Sequence, residues 1–408
     1  MADLRTTLGE LELSNPIIIS PGHVTRRGED IKRADGYGAG AITIKTGLLE
    51  KEYEQVVKPY QPGKFPDARA QFAPGGDGIL NIVGLSPEPI EVWAKWIQEN
   101  KKDLQTPLIA SEMATTIEGY VKAAKMFQES GADALEILLA CPLPYLHPFQ
   151  YVGGASFDPK IVQEVCSAVR DAVELPLGVK LMFNPLNMEP LRIPQKIGLD
   201  FFTLCLALLA APGIDLERVK PVIPCSVFMS GSHGAKHINF FALLQQADQI
   251  DKIDISATGG VQGWEDVVEY ILYGASSVQI QTLFMVKGLG IIEVMKRKIS
   301  TWMDAKGFSS IKEMRGAILP KLLTFDHCIA AYSSTKGKVL AVVDKDKCNG
   351  CGICLRVCIY NALEMVRDSV NIVSGNCEGC RLCVCACPEG ALFLTGEEAI
   401  YLTGPVQA

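Results

Sequence analysis

The chain has 408 residues, 48% hydrophobic and 21% charged, which is enough apolar material for a large core plus a satellite domain and excludes a disordered or fibrous protein. Lys and Arg number 39 against 46 Asp and Glu, a net charge of −7 with no block of like charge, so nucleic acid is not expected as a partner. The polar Met1–Glu10 start lacks the basic flank and apolar run of a secretory signal, and the longest apolar stretch, Phe201 to Ala211, falls far short of the roughly 20 residues that span a bilayer; a soluble, cytoplasmic protein is expected.

From the N-terminus to about residue 300, short Val/Ile/Leu-rich runs alternate with longer amphipathic segments, the rhythm of repeated βα units. The expected strands are Pro16–Ile19, Ala41–Lys45, Leu108–Ser111, Ala134–Leu139, Leu177–Leu181, Phe201–Leu206, Ile253–Ala257 and Ser277–Gln281. Between them, Ser86 with Pro87 reads as the N-cap of a helix whose Glu91–Gln98 stretch places Val92, Trp93 and Trp96 on one face, and Glu118–Ser130 reads as a helix stopped by Gly131. Strands this continuously apolar, covered by helices, suit either a closed barrel or a doubly wound sheet. Eight strands, the length, and Gly-Gly after the seventh favour an α/β fold of the (β/α)8 TIM-barrel type. Gly36, Gly38 and Gly40 precede a strand rather than opening a helix, so they read as a turn and no nicotinamide or FAD domain is expected. Thr258-Gly259-Gly260 and Gln281-Thr282 follow the seventh and eighth strands, where barrels commonly hold a phosphate by backbone N–H groups; a mononucleotide such as FMN would suit. The barrel is expected over residues 1–310, a connecting segment over 311–343, and a small α+β ferredoxin-like domain over 344–408.

Nine of the 14 cysteines lie between Cys348 and Cys387; the others, Cys141, Cys166, Cys205, Cys225 and Cys328, are scattered. A reducing compartment and a metal-binding module fit this distribution better than disulfides. Cys348, Cys351, Cys354 and Cys358 follow C-x2-C-x2-C-x3-C, and Cys377, Cys380, Cys383 and Cys387 repeat it, each run leading to an Ala-Leu pair, Ala362-Leu363 and Ala391-Leu392. The spacing matches the run of two-cluster bacterial ferredoxins, in which the fourth cysteine of each run serves the other cluster. One [4Fe-4S] cluster would use Cys348, Cys351, Cys354 and Cys387, the other Cys377, Cys380, Cys383 and Cys358. A pair of zinc sites is the alternative, though zinc favours ligands in two separated pairs. Ile359 stands where proline usually follows the first run, and Cys385 is expected to pack beside a cluster rather than ligate.

The segments Asn15-Pro16, Thr43-Ile44-Lys45-Thr46, Asn81-Ile82, Ala110-Ser111, Gly131 through Glu136, Cys141-Pro142, Val179-Lys180-Leu181, Ala257 through Gly260 and Gly274-Ala275-Ser276 resemble, in order and spacing, the FMN barrel of dihydropyrimidine and dihydroorotate dehydrogenases. Dihydropyrimidine dehydrogenase also carries ferredoxin-type clusters after its barrel. The resemblance implies that Lys45 and Lys180 contact the flavin, with Thr46 and Asn81 beside it. It places Gly231, Gly234, Gly259, Gly260, Gln281 and Thr282 at the FMN phosphate and ribityl groups, and makes Cys141 the general acid/base facing the flavin. The plain alternative for each lysine is a strand-end cation paired with a carboxylate, and for Cys141 a buried thiol before a turn-making proline.

The chain departs from that pattern where the ring is bound. Pyrimidine-processing relatives end the fourth strand Asn-x-Ser-Cys-Pro, whereas this one ends Leu138-Leu139-Ala140-Cys141-Pro142, and Leu206-Ala207 replaces an asparagine-threonine pair. Leucines would leave the ring's amide and carbonyls unpaired, although Asn81 and Asn184 retain polar capacity. Leu138 and Leu206, with Leu204, Leu208 and Leu209, suggest a greasier cavity or additional packing. Tyr145, His147, Phe149, Gln150 and Tyr151 lie on the loop after Cys141 and could reach a ligand, while His23, His233 and His237 show no metal-binding pattern. The expected activity is an FMN and iron–sulfur oxidoreductase acting on an activated C=C or CH–CH bond of a small non-pyrimidine substrate. Its electrons would pass through two clusters to ferredoxin or to a separate NAD(P)H-linked flavoprotein subunit, making the chain part of an oligomer or complex. An electron-relay subunit whose barrel has lost chemistry, and a dihydropyrimidine dehydrogenase subunit, are the competing readings.

Overall fold

The eight apolar runs are strands: β1 (Ile17–Ile19), β2 (Ala41–Thr43), β3 (Leu108–Glu112), β4 (Ala134–Leu138), β5 (Leu177–Met182), β6 (Phe201–Cys205), β7 (Asp254–Thr258) and β8 (Ser277–Ile280). Each pairs in parallel with the next, and β8 pairs with β1, closing an eight-stranded barrel. This computed structural model describes residues 2–57, 70–72, 78–81, 84–140, 155–205, 208–211, 213–222, 227–322, 326, 329 and 337–396. It comprises two compact units, Met1–Leu319 and Pro320–Ala408.

Barrel strands are buried on both faces, so their sequences are apolar without alternating, yet the two faces differ in what they meet. Ile18, Ala41, Ile109, Ala134 and Phe201 point inward and pack on Leu8 and Leu13 of an N-terminal hairpin, Thr6–Leu8 with Leu11–Leu13. Phe201 fits because Gly178 faces it: a Cβ there would stand 2.2 Å from the ring. The other parity, including Ile19, Ile42, Ala110, Ile137, Val179, Phe202 and Leu204, packs outward against the helices.

The helices are α1 (Gly28–Asp35), α2 (Ile90–Asn100), α3 (Ile117–Ser130) and α4 (Pro159–Arg170), with α5 (His233–Leu244) and α6 (Trp264–Leu272) later in the chain. Helix α3 starts at Thr116, whose hydroxyl accepts from the Gly119 N–H, and stops at Gly131, φ +88°. Helix α2 differs from expectation. It begins after Pro89, and the Ser86 hydroxyl instead accepts the Trp93 indole N–H at 2.8 Å; Ile90, Trp93 and Ile97 form the buried face, while Val92 is exposed. A buried indole N–H needs an acceptor, and Ser86 supplies it.

Above the strand ends, segments remote in sequence form a four-stranded antiparallel sheet in the order Leu208–Ala210, Val227–Ser230, Ile79–Asn81, Ala70–Phe72. At the far end of the unit, Ile311 and Met314 are buried and Arg315 pairs with Asp254 at 2.8 Å, so the barrel unit runs on to Leu319. Among the described residues no helix is long and apolar enough to cross a membrane.

Glu112, the last residue of β3, is fully buried and, among the described residues, neither carboxylate oxygen has a hydrogen-bond partner. Burial pushes its pKa well above the ordinary carboxylate value, because desolvation penalises the charged form. The folded state therefore binds this proton more tightly than the unfolded chain does. Stability falls as pH rises from about 4.5 through the raised folded-state value. Glu112→Leu is expected to stabilise the protein by about 1–3 kcal/mol at pH 8 and to flatten that dependence. Denaturant unfolding at pH 5 and pH 8 checks this; a variant with the wild-type pH slope would sink it.

The second unit is a duplicated pattern. Leu340–Val343 pairs antiparallel with Leu392–Thr395, Leu363–Val366 pairs with Ser369–Ile372, and two five-residue helices, Ile353–Val357 and Leu382–Ala386, carry the third cysteine of each run. Its buried core is Ala341, Cys354, Val370, Cys383 and Leu392. The repeated alanine has a role in each half: the N–H of Ala362 donates to Cys358 Sγ and that of Ala391 to Cys387 Sγ, both at 3.3 Å.

Candidate active site

Strand alternation aims Glu136, Leu138, Lys180, Thr203, Cys205 and Gln279 into the barrel near its C-terminal end. Lys180 is buried; its Nζ donates to Gln279 Oε1 at 2.6 Å, lies 3.5 Å from Ser20 Oγ and stands 3.7 Å from Glu136 Oε1. Glu136 has no exposure, and its Oε2 accepts from Thr203 Oγ1 and from Gln279 Nε2, both at 2.6 Å. The plain alternative for Lys180, a strand-end cation paired with a carboxylate, thus describes its surroundings. That pairing leaves the ammonium at the strand ends, on the face where barrels of this type place their chemistry.

Lys45 follows β2 and is half-buried, with its backbone N–H bonded to the Thr25 carbonyl; Thr46 is buried, its hydroxyl 2.7 Å from Ser111 Oγ. Asn81 lies on a strand of the upper sheet. Cys141 falls outside the described residues, as do Tyr145, His147, Phe149, Gln150, Tyr151, Leu206 and Ala207. Leu138 is buried on the inner face of β4, in register with Lys180. Leu204 does not line the cavity: it has the opposite parity and packs in the helix layer. Asn184 is exposed and its Oδ1 caps the Leu186 N–H in a turn. One inward thiol was not singled out from the sequence. Cys205 ends β6, and burial pushes its pKa up, Lys180 opposing and Glu136 reinforcing that shift.

The glycines before α5 and after β7 are closely packed. Gly231 has φ +71° and a Cβ there would meet Thr282 at 2.5 Å; Gly260 has φ +69° and a Cβ would meet the Ser232 carbonyl at 2.7 Å. Only glycine allows both the left-handed backbone and this approach. Gly259 adjoins at φ +117°, and Gly234 lies in the first turn of α5 with open space around it. Lys236 of α5 is buried and donates to Asp266 Oδ1 and Glu269 Oε2 at 2.5 Å, fixing α5 against α6. Gln281 is turned elsewhere: its amide donates to the Ser20 carbonyl at 3.1 Å and accepts from the His23 N–H at 2.6 Å, tying β8 to the loop after β1.

In the second unit, Cys348, Cys351, Cys354 and Cys387 line one cavity and Cys358, Cys377, Cys380 and Cys383 line another. The fourth cysteine of each run has crossed to the other set. Cys385 contradicts its expected packing role, since it is exposed; on its five-residue helix Cys383, two residues earlier, takes the inward position.

The dihydroorotate dehydrogenase family matches residues 3–303, and a 4Fe-4S binding domain matches residues 340–363, which hold the first cysteine run. Among curated proteins, the chain is 29% identical over 327 residues to a dihydroorotate dehydrogenase B (NAD(+)) catalytic subunit of Thermoplasma volcanium, covering 79% of this chain and all of that relative. The corresponding subunit of Bacteroides thetaiotaomicron is 31% identical over 324 residues, 78% of this chain and 99% of its own. That of Pyrococcus abyssi is 29% identical over 323 residues, 78% and 99% respectively. These names lend no support to the expectation of a non-pyrimidine substrate. The closed barrel, the inward lysine and the matched residues 3–303 agree that the chain belongs to the dihydroorotate dehydrogenase family of oxidoreductases acting on CH–CH groups, and that it carries a 4Fe-4S binding domain.

Proposed function

We propose that the barrel binds FMN at the C-terminal ends of its strands and interconverts a C=C and a CH–CH bond in a small carbonyl-conjugated substrate. Electrons would leave or arrive through two [4Fe-4S] clusters. The observation that carries this reading is the buried Lys180 ammonium at the strand ends, together with the backbone at Gly231 and Gly260, where a Cβ would clash. FMN, when bound, exchanges a hydride with carbon and single electrons with the clusters. The chain's own residues do the rest. The backbone around Gly231, Gly234, Gly259, Gly260 and Thr282 holds the phosphate, where N–H groups meet an anion without a side chain intervening. Lys180 and Lys45 place positive charge where the reduced ring gathers negative charge, and Cys141 holds the proton exchanged with the substrate carbon.

Each four-cysteine cavity would hold one cluster, the first on Cys348, Cys351, Cys354 and Cys387, the second on Cys358, Cys377, Cys380 and Cys383. The sequence shows no dinucleotide-binding motif, and the relatives are named as catalytic subunits of NAD(+)-linked enzymes. We therefore infer a separate electron-carrying protein partner. For the substrate, the relatives make dihydroorotate the first compound to test. Leu138 favours a ring with an apolar edge, because a leucine facing the site neither donates nor accepts a hydrogen bond.

Anaerobic purification followed by flavin, iron and sulfide analysis, then bleaching by a panel of dihydroorotate, dihydrouracil and apolar saturated carbonyl compounds, tests the reading. One FMN and eight iron per chain, with bleaching by an apolar compound, is the expected result. Bleaching by dihydroorotate alone would return the substrate to the pyrimidines, and protein without flavin would end the enzyme reading. Cys141→Ala should lower turnover by about 10²–10⁴-fold while keeping FMN and iron; undiminished turnover would remove its acid/base role.

A further inference from the structure

We propose that Glu136 is a positioning residue that sets the reduction potential of the flavin by offsetting the charge of Lys180. The inference rests on the FMN reading above and adds to it a control element inside the barrel wall.

A carboxylate with no solvent exposure is costly to keep, so the geometry around it is informative. Glu136 Oε2 is saturated by Thr203 Oγ1 and Gln279 Nε2 at 2.6 Å each, whereas Oε1 has no hydrogen bond among the described residues and faces Lys180 Nζ at 3.7 Å. Those bonds fix the amide of Gln279. A carboxylate only accepts, so Nε2 must point at Glu136, and it also meets Thr203 Oγ1 at 3.1 Å. Oε1 is then left facing the other way, toward the Lys180 ammonium at 2.6 Å. Lys180 is thus held twice by the same acid, once by charge and once through an amide that the acid has oriented.

The pair sums to zero charge in a desolvated site. Among the described residues, Thr203, Gln279 and Ser20, which hydrogen-bond to it, are uncharged, Cys205 lies close enough to feel both charges, and Lys45 is a further cation near the strand ends. Reducing a flavin adds negative charge, so the ammonium favours the reduced form, and in low dielectric the nearby carboxylate takes back part of that preference. Glutamine has the same shape and can still accept from Thr203, but it carries no charge. Removing the charge therefore strengthens Lys180's hold on the reduced form. Removing the Thr203 hydroxyl does the opposite, because it leaves the carboxylate's charge less spread.

The test is a redox titration of the flavin in the full-length protein with both cluster sets present, flavin absorbance being read apart from the cluster signals. Glu136→Gln should favour the reduced form about tenfold at a fixed external potential, a rise of about 30 mV for a two-electron couple. Thr203→Val should shift the ratio about threefold in the opposite direction, and Glu136→Asp, which keeps the charge, should stay within about threefold of wild type. An unchanged or lowered potential in flavin-loaded Glu136→Gln overturns the inference while leaving the FMN reading intact. Shifts of the same sign in Glu136→Gln and Thr203→Val also overturn it, since packing damage has no sign preference. Should Glu136→Gln fail to fold, Thr203→Val decides alone, and a potential that does not fall counts against the proposal. Wild-type protein without FMN would overturn this inference and the FMN reading together.

Discussion

Lys180→Met is expected to cost the barrel about 3–5 kcal/mol, a fall of about 5–8 °C in Tm for a unit of this size, and to release FMN. The cost comes less from the lost lysine than from what it leaves behind. Glu136 keeps its two short bonds to Thr203 and Gln279 but loses its counter-charge, so Oε1 becomes an uncompensated charge with no route to water. Breaking one side of a buried pair is worse than removing both. The Lys180→Met, Glu136→Gln double variant should therefore recover most of the lost stability while still failing to hold flavin. Calorimetry of the three proteins with flavin analysis checks this. A Lys180→Met protein that melts within about 1 °C of wild type would show that the pair contributes nothing to the fold.

If the cavities hold the two proposed clusters, Cys354→Ser is expected to unfold most of the second unit and to remove at least half of the bound iron. Among the described residues, the two-strand sheets and five-residue helices of this unit bury few large side chains, and Cys354 and Cys383 of its buried cluster are thiols that line the cavities. So small an apolar core cannot offset the entropy of ordering the chain without a cross-link. Clusters held by four thiolates would supply it, coupling iron binding to folding as in other metal-dependent domains. Because Cys387 lines the first cavity and Cys358 the second, loss of one such cluster would loosen both halves. Limited proteolysis should then cut within residues 337–396 while the barrel's melting transition stays near its wild-type position. Full iron content together with wild-type protease resistance would refute the account.

Much of this architecture is legible in the sequence because it follows from local burial and spacing. Parallel strands covered on both faces must be continuously apolar, so all eight stand out, and Gly131 announces the end of α3 because a helix stopped by a left-handed residue calls for glycine. The cysteine runs declare their chemistry by spacing alone. Two details are local yet misread: Ser86 looks like a helix cap because its demand from the Trp93 indole seven residues on is invisible in sequence, and Cys385 looks like packing because the cysteines on either side of it line the cavities.

What the tertiary structure decides is which buried residues meet. A continuously apolar strand does not reveal which parity faces the barrel axis, so Leu138 and Leu204 look equivalent until closure turns one toward Lys180 and the other into the helix layer. Glu136 and Glu112 are each a single acid in a strand. Only the pairing of strands gives the first a lysine 44 positions away and leaves the second without a hydrogen-bond partner among the described residues. The upper sheet, drawn from four segments between Ala70 and Ser230, and the crossing of Cys358 and Cys387 between cavities arise in the same way. Burial is a property of a residue and its near neighbours, and the sequence carries it. Pairing depends on chain closure over tens to hundreds of residues, and only the folded chain determines it.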